Sequence, residues 1–265
     1  MNKITMAFKN KKTFIAFITG GDPDIETTEK LIIAMAESGA DIVEIGIPFS
    51  DPIAEGPVIQ HADERALANC CTVDALFDMV KRVRAKVNIP LLFMTYINPI
   101  FVYGKARFME NCAACGIDGV IVADLPYEER DELAEVCAAH GITMISLVAP
   151  TSNERIKTIA ADAEGFLYCV SSLGVTGVRS EIQTDVAAMI RQVKEVSSVP
   201  CAIGFGVSTP EQARDMAAIS DGVIIGSAIV KLIAEHGRDS VEHVKRYCGK
   251  IKEAIRPLRK LSASG

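Results

Sequence analysis

Nearly continuous apolar segments alternate with amphipathic segments along the chain. The apolar segments are short and rich in Val, Ile, Leu, Phe and Ala, a pattern typical of parallel strands buried on both faces. The segments between them have apolar positions at helical spacing. We predict strands at 14–19, 41–47, 91–96, 119–124, 143–149, 165–171, 201–206 and 222–227, and helices that include 27–38, 73–87, 128–140 and 185–196.

Eight consecutive strand–helix units in 265 residues predict a closed (β/α)₈ TIM barrel, which typically needs about 250 residues. We expect one α/β domain over residues 1–265 with a short N-terminal helical extension; an open, doubly wound sheet is the alternative. Gly39, Gly116 and Gly141 are placed to end helices. Two long loops follow strands, at 48–72 with a helical stretch near 58–68, and at 172–183, and such loops lie on the catalytic face of a barrel.

One acidic residue interrupts the apolar second strand. Strand alternation places Glu44 on one face with Ile42 and Gly46, and the apolar residues Val43, Ile45 and Ile47 on the other. Burial without a partner is costly for a carboxylate and raises its pKa toward the range useful for proton transfer. Glu44 is therefore the first candidate for a catalytic acid or base. The alternative is a structural glutamate paired with a lysine or arginine inside the barrel.

The following loop carries two more carboxylates, Asp51 and Glu55, in the segment Pro48-Phe49-Ser50-Asp51-Pro52-Ile53-Ala54-Glu55-Gly56-Pro57. Its prolines make it stiff and non-helical. Either acid can serve the site, and the alternative is that both are solvated. Asp124, which ends the fourth strand, is either catalytic or, as we favour, a supporting residue that caps the next loop.

Three late loops offer backbone amides to an anion such as a phosphate ester. They contain Gly174-Val175-Thr176-Gly177, the segment from Gly204 to Glu211, and Gly226-Ser227-Ala228. In the second of them, Ser208 or Thr209 can cap a helix whose first turn holds Pro210. Gly204-Phe205-Gly206 lacks the third glycine of a dinucleotide fingerprint. The pattern favours a small phosphorylated substrate.

Composition and charge argue against several classes of protein. The net charge of −6 argues against a nucleic-acid partner, and no run of about 18 uncharged apolar residues predicts a membrane span. Eight dispersed cysteines without a signal peptide indicate a reduced, cytoplasmic protein. Cys112 and Cys115 form a single CxxC with no second pair and no nearby histidine, so buried packing is favoured over zinc or redox chemistry. We predict no metal site.

Read together, these motifs resemble the tryptophan synthase α-subunit family, and the resemblance covers almost the whole chain. The matching segments are Val43-Glu44-Ile45-Gly46-Ile47-Pro48-Phe49-Ser50-Asp51-Pro52, Gly56-Pro57-Val58-Ile59-Gln60, Phe17-Ile18-Thr19-Gly20-Gly21-Asp22-Pro23, Met94-Thr95-Tyr96-Ile97-Asn98-Pro99 and the three late glycine loops. One position departs from the family pattern, because the family usually has aspartate where this chain has Glu55.

The resemblance implies a lyase of tryptophan biosynthesis that cleaves indole-3-glycerol phosphate to indole and D-glyceraldehyde 3-phosphate by a retro-aldol reaction. It implies that Glu44 is the acid/base and that Glu55 is the partner of the indole N–H. Because Glu55 has one methylene more than aspartate, we expect that the loop backbone sits differently or that activity is lower. The substrate-binding residues that it implies are Thr176, Gly177, Phe205, Gly206, Gly226 and Ser227 near the phosphate, and Phe17, Ile59, Tyr96, Asp124 and Tyr168 around the indole and glycerol. For Phe17 and Tyr168, barrel packing is the alternative.

The resemblance also implies a partner. The family works as an α–β–β–α heterotetramer in which indole passes through a tunnel to a β subunit that holds pyridoxal phosphate, so no cofactor is expected in this chain. The expected docking face includes the loop around Asp51 and Pro52, which would order on binding. The alternatives are a stand-alone lyase that releases indole without a β subunit, an isomerase barrel for another phosphorylated substrate, and a non-catalytic scaffold subunit.

Overall fold

The computed structural model describes residues 2–150, 153–170, 179–204 and 206–256. Its strands are Thr13–Thr19 (β1), Ile42–Gly46 (β2), Leu91–Thr95 (β3), Gly119–Val122 (β4), Thr143–Met144 (β5), Ser146–Val148 (β6), Leu167–Val170 (β7), Cys201–Gly204 (β8) and Gly222–Ile225 (β9). Its helices are Lys3–Ala7 (α1), Ile25–Glu37 (α2), Pro57–Ala68 (α3), Val73–Arg84 (α4), Ile97–Tyr103 (α5), Lys105–Cys115 (α6), Asp131–Ala139 (α7), Asn153–Ala161 (α8), Arg179–Val196 (α9), Pro210–Ile219 (α10), Ser227–His236 (α11) and Val241–Ile255 (α12), with 3₁₀ turns at Tyr127–Glu129 and Gly237–Asp239.

The strands form one parallel sheet that curls into a barrel. Their order is β5-β4-β3-β2-β1-β9-β8-β7-β6, so the two ends of the sheet are the consecutive segments β5 and β6. These segments are two parts of the fifth barrel strand, joined through Ile145, whose amide donates to the Val120 carbonyl at 2.9 Å. Eight barrel strands result, which confirms the predicted TIM barrel and shows that the open-sheet alternative is wrong.

The predicted strands and helices are present, but several begin or end at residues other than those predicted. The second strand is Ile42–Gly46 instead of 41–47, and the predicted helix 128–140 is divided into a 3₁₀ turn at Tyr127–Glu129 and α7. The helical stretch predicted near 58–68 is α3, inside the long loop after β2. Gly39, Gly116 and Gly141 have φ of 99°, 89° and 68°, the left-handed geometry in which glycine ends a helix without strain.

The core has two layers, separated by the sheet. Val43 and Ile45 of β2 face outward and pack against the helices, whereas Ile42 faces into the barrel. The N-terminal helix α1 closes the bottom of the barrel, since Ile4 and Phe8 pack with the inward-facing residues and the Phe8 and Phe166 rings lie 5.5 Å apart. The predicted alternation of β2 is confirmed, and polar chemistry is left to the opposite, C-terminal end.

Three aspartates set the register at the bottom of the barrel. Each of them directly precedes a strand. Its side chain accepts a hydrogen bond from a backbone amide at or next to the start of a neighbouring strand. The pairs are Asp41 with Phe14 N, Asp118 with Leu91 N and Asp221 with Cys201 N, at 2.8–2.9 Å. Each is also paired with a basic side chain, Lys11 and Lys252, Arg84, and Lys194 respectively. A charge-assisted hydrogen bond is stronger than a neutral one, so these contacts hold adjacent strands together.

The cysteine pair in α6 lies in the layer between sheet and helices. Cys112 and Cys115 are buried free thiols, and burial raises the pKa of Cys115 to about 11. Their interpretation as packing residues is confirmed. Among the described residues no group of three or more His, Cys, Asp or Glu side chains is arranged to hold a metal. None of the described helices has the length and apolarity needed to cross a membrane.

Candidate active site

Glu44 lies in the middle of β2, in register with Phe17 of β1 and Leu92 of β3. Its side chain is fully buried, and within the described part of the chain neither carboxylate oxygen has a hydrogen-bond partner. Burial alone raises the pKa of Glu44 to about 8, because no nearby donor or cation favours the charged form. The alternative of a structural ion pair therefore has no support among the described residues, and a pKa of about 8 keeps the acid mostly protonated at neutral pH.

Tyr168 of β7 lines the cavity and is close enough to the two candidate carboxylates to be influenced by their charges. Burial, together with the negative charges of Glu44 and Glu55, raises the pKa of Tyr168 well above its ordinary value. Its ring has room only because β8 has no side chain at Gly204, where a Cβ atom would lie 2.5 Å from the Tyr168 hydroxyl oxygen. The tyrosine ring is thus packed against the neighbouring strand, and its raised pKa keeps it uncharged where it lines the cavity.

A methyl group at position 204 is expected to displace the Tyr168 ring. In Gly204→Ala the tyrosine ring must move or the two strands must separate, and such overpacking costs about 1–3 kcal/mol of unfolding free energy. We expect a lower denaturation midpoint together with a raised KM for the substrate. Denaturant unfolding and steady-state kinetics measure both. Gly249→Ala is a matched control because a Cβ there meets nothing within 4 Å.

Glu55 is held by Tyr96 at the end of β3. The Tyr96 hydroxyl donates to Glu55 Oε2 at 2.5 Å and accepts the Ala54 amide at 2.9 Å, while the Gln60 side chain donates to the Glu55 carbonyl at 2.9 Å. Burial raises the pKa of Glu55, and the hydrogen bond from Tyr96 opposes this shift. Asp51 in the same loop is exposed and accepts the Ser50 hydroxyl, so the solvated interpretation describes Asp51 and not Glu55.

An apolar surface adjoins the carboxylates. Phe17 and Ile59 pack with Ala62 and Val230, which brings β1, α3 and α11 together above the barrel. Two glycines permit the close approach to Phe17: a Cβ at Gly46 would lie 2.8 Å from its ring and one at Gly226 would lie 3.0 Å away. The Phe17 ring is therefore packed closely against the backbone of two glycines and forms part of an apolar surface of the kind that contacts an aromatic ligand.

A cavity of about 470 Å³ opens at this end of the barrel, and Met94, Asp124, Leu147 and Tyr168 are among its lining residues. Asp124 Oδ1 accepts the amide of Ile97, the first residue of α5, at 2.8 Å. That bond fixes the end of β4 to the neighbouring loop and agrees with the supporting role favoured from the sequence. A volume of this order suits a small organic ligand.

The N-terminus of α11 offers amides to an anion. Gly226 precedes the helix without a side-chain cap, and its carbonyl accepts the amides of Ile229 and Val230. The first amides of a helix, here those of Ser227 and Ala228, have no acceptor within it and attract negative charge. Ser227 is exposed and Gly226 half-buried beside Phe17, so a phosphate here would lie next to an aromatic group on that ring.

The loop after β8 is arranged differently. Thr209 caps α10 with Pro210 in its first turn, as predicted, but the Ser208 and Thr209 amides both donate to the Gln212 side chain at 2.8 and 3.1 Å. These two amides are therefore not free for an anion. Gly206, with φ of 76°, is the predicted phosphate residue of this loop that the structure describes. Thr176, Gly177 and Phe205 lie outside the described residues.

The sequence did not single out two polar residues that the structure brings to this site. Asp63 of α3 is 4% exposed, and burial followed by the Glu55 charge raises its pKa to about 7. Thr19 ends β1 with a buried hydroxyl that has no hydrogen-bond partner among the described residues. Asp63 follows Ile59 by one helical turn, a spacing that places both on one face, but its polar sequence neighbours make the position look like a surface.

A buried neutral acid, a second acid held by a tyrosine, an apolar surface and free helix amides define a barrel enzyme for acid–base chemistry on a phosphorylated substrate. The sequence profile of the family described as Tryptophan synthase alpha chain matches residues 4–256. A relative of that name from Lacticaseibacillus casei is 47% identical over 262 residues, 99% of this chain and 98% of the relative. The chain belongs to the tryptophan synthase alpha chain family.

Solved structures agree. The tryptophan synthase subunit alpha from Legionella pneumophila is similar with a TM-score of 0.88 at 39% identity, covering 96% of this chain and 98% of that one. A chain of the tryptophan synthase complex from Pyrococcus furiosus is similar with a TM-score of 0.83 at 36% identity, covering 91% and 98%. The fold and the family are thus shown together over nearly the whole length.

Proposed function

We propose that Glu44 and Glu55 carry out the family's reaction in this chain. The chain is an alpha subunit of tryptophan biosynthesis, a lyase that cleaves indole-3-glycerol phosphate. The observation that carries our assignment is the Glu44 carboxylate, buried inside the barrel with no partner among the described residues. A group with a pKa near 8 holds its proton at neutral pH and can also release it, as one residue serving as acid and then base must do.

This one group can make all the proton transfers that the cleavage requires. Protonated Glu44 gives its proton to C3 of the indole, and the positive charge that develops spreads to the ring nitrogen. As the C–C bond breaks, the glycerol hydroxyl becomes the aldehyde of glyceraldehyde 3-phosphate and returns a proton to Glu44. Indole leaves with the new C3–H bond. The acid ends in its starting state, so no external base is consumed.

Glu55 supplies the anion for the indole N–H in this proposal. Its carboxylate is held by the Tyr96 hydroxyl at 2.5 Å, and this contact to β3 fixes the end of a side chain one methylene longer than aspartate. Phe17, Ile59 and Tyr168 form the apolar surroundings of the ring, and Asp124 supports the neighbouring loop. Gly226 and Ser227, with Thr176, Gly177, Phe205 and Gly206, bind the phosphate.

The direct test follows both products. Purified chain is incubated with indole-3-glycerol phosphate, and indole and glyceraldehyde 3-phosphate are quantified over time. We expect equal amounts of the two. Isomerised substrate without C–C cleavage would contradict the proposal and support the isomerase alternative. Absence of both products, unchanged in Glu44→Gln, would support the scaffold alternative, whereas unchanged turnover in Glu44→Gln would contradict the role of Glu44.

The partner that we propose is a β subunit in an α–β–β–α complex. The similar Pyrococcus furiosus structure is of a tryptophan synthase complex, and membership in this family does not favour the stand-alone lyase. The family's alpha chain has no cofactor of its own, and pyridoxal phosphate belongs to the β subunit. Large apolar side chains are exposed in segments that follow β2 and β3: Ile53 and Val102 are each 81% exposed and Phe101 is 46% exposed. Together with the Asp51–Pro52 loop, they form the docking face in this proposal, at the mouth of the barrel.

A charge placed on this face is expected to weaken the complex. Val102→Asp would bury an unpaired carboxylate at the interface, and we expect the affinity for the β subunit to fall tenfold or more, as measured by calorimetry. Lyase turnover of the isolated chain should stay the same, while its stimulation by the β subunit, itself expected to be about tenfold or more, requires a higher β concentration. Val196→Asp, at another exposed apolar position, is the control.

We further propose that residues 1–265 form one domain and that the chain works in the cytoplasm. The helix α1 is part of the barrel core through Ile4 and Phe8, which supports a single unit. All eight cysteines are free thiols, which agrees with a reduced compartment. Fractionation of cells that produce the chain, followed by detection with an antibody, tests the location.

A further inference from the structure

The loop between β8 and α10 contains Gly206, which belongs to the phosphate site in the proposed function. Gly206 has φ of 76°, and a Cβ atom there would meet nothing within 4 Å, so side-chain packing does not hold the loop at this point. The Gly206 amide has no acceptor among the described residues. The direction of this amide therefore depends on how the residues that follow it are fixed.

Ser208 is fixed on both sides by hydrogen bonds. Its amide donates to Gln212 Oε1 at 2.8 Å, and its carbonyl accepts the Tyr247 hydroxyl at 2.8 Å. Val207, between Ser208 and Gly206, is buried in the core. Gln212 acts from within α10 as part of the helix's own cap, whereas Tyr247 comes from α12, 39 residues further along the chain. The Tyr247 bond therefore ties the loop to a separate element of the barrel.

Tyr247 is well suited to this contact. Its ring is half-buried and packs against the hydrophobic core, which restricts its motion. Burial raises the pKa of Tyr247 well above its ordinary value, so the hydroxyl keeps the proton that it donates. A neutral hydroxyl on a packed ring is a donor whose position is set before any ligand binds.

The same face of α12 also contacts α11, whose N-terminus carries Gly226 and Ser227 of the proposed phosphate site. His243 lies four residues before Tyr247, a spacing that places both on one face of α12. The His243 ring stacks on His236, the last residue of α11, with ring centroids 3.6 Å apart. One outer helix thus contacts both elements that carry the described residues of the phosphate site.

We propose that Tyr247 is a positioning residue for phosphate binding: by holding the Ser208 carbonyl, it keeps the Gly206 amide directed at the phosphate group of the substrate. This inference rests on the proposed function, which takes Gly206 as a phosphate ligand. Tyr247 makes no contact with the substrate and has no part in the C–C cleavage. Loss of its hydroxyl therefore weakens phosphate binding and leaves the chemical step unchanged.

The test compares wild type, Tyr247→Phe and a matched control, Tyr103→Phe, which removes the hydroxyl of another half-buried tyrosine that donates to Asp74. Calorimetry gives the Kd of glycerol 3-phosphate, an alkyl phosphate without an indole ring, and steady-state assays give kcat and KM for indole-3-glycerol phosphate. In Tyr247→Phe we expect Kd and KM to rise about fivefold, which corresponds to about 1 kcal/mol for one hydrogen bond. The value of kcat should stay within twofold, and Tyr103→Phe should leave all three quantities within twofold.

A purely structural role predicts a different pattern. Partial unfolding of Tyr247→Phe would reduce the active fraction and so lower kcat with an unchanged KM, and that result would overturn the proposal, as would unchanged Kd and KM. A measurement on wild type alone stays valid if the variant fails to fold: the Gly206 amide signal in ¹H–¹⁵N NMR spectra should shift when glycerol 3-phosphate is added, and an unmoved signal would overturn the proposal. Failure of the proposed function is seen separately, as wild type that binds glycerol 3-phosphate but releases no indole from its substrate.

Discussion

Glu44→Gln is expected to lower kcat for indole-3-glycerol phosphate cleavage by about 10²–10⁴-fold, the range typical for loss of a general acid–base group. Glutamine keeps the shape of the side chain but cannot give a proton to C3 or recover one from the hydroxyl. KM should change little, because the phosphate and indole contacts lie elsewhere. Stopped assays of indole release at saturating substrate measure the effect. A loss below tenfold would rule out Glu44 as the acid.

The stability of this variant separates chemistry from folding. The pKa of Glu44 rises from 4.5 to about 8 on folding, so its contribution is favourable below pH 4.5 and is lost as the pH rises toward 8. Between these values the folded state must keep a proton that the unfolded chain releases, at a cost of about 3 kcal/mol at pH 7. Glutamine carries no such cost. Urea unfolding should therefore show Glu44→Gln at least as stable as wild type at pH 7, with the difference shrinking toward pH 4.5.

Glu55→Gln is expected to lower kcat by about 10²-fold, the scale seen when one preorganised electrostatic contact to a developing charge is removed. The amide can still accept the indole N–H but brings no negative charge to the cationic ring. The Tyr96 hydroxyl contact can persist with the amide oxygen, so the loop should keep its position. Kinetics at several pH values measure the loss.

The comparison variants for this position are Glu64→Gln and Glu55→Asp. Glu64→Gln changes an exposed acid on the adjacent helix and should leave kcat within twofold. Glu55→Asp restores the family's residue but shortens the side chain away from Tyr96, so it should retain more activity than glutamine because the charge remains. If Glu55→Gln itself stays within twofold of wild type, Glu55 does not partner the indole nitrogen.

Local patterns were sufficient to predict the elements and to place Glu44, the first candidate catalytic residue, inside the barrel. Continuous apolar segments predicted the strands, and the period of two in β2 predicted that Glu44 shares a face with Ile42 and not with Val43. The family could also be inferred, because its motifs are short segments that occupy the ends of strands. Periodicity and motifs are properties of neighbouring residues, which a sequence contains in full.

The tertiary structure decided what each polar group meets. Only the closed barrel shows that Glu44 meets no cation among the described residues, that Glu55 meets Tyr96, and that Tyr168 fits into the space over Gly204. Asp63 changes from an ordinary helix acid to a buried one for the same reason. These partners come from different strands and loops, and which of them meet depends on how the strands close into a ring. Spacing along the chain specifies the face of an element, whereas the ionisation of a side chain depends on what the other elements place beside it.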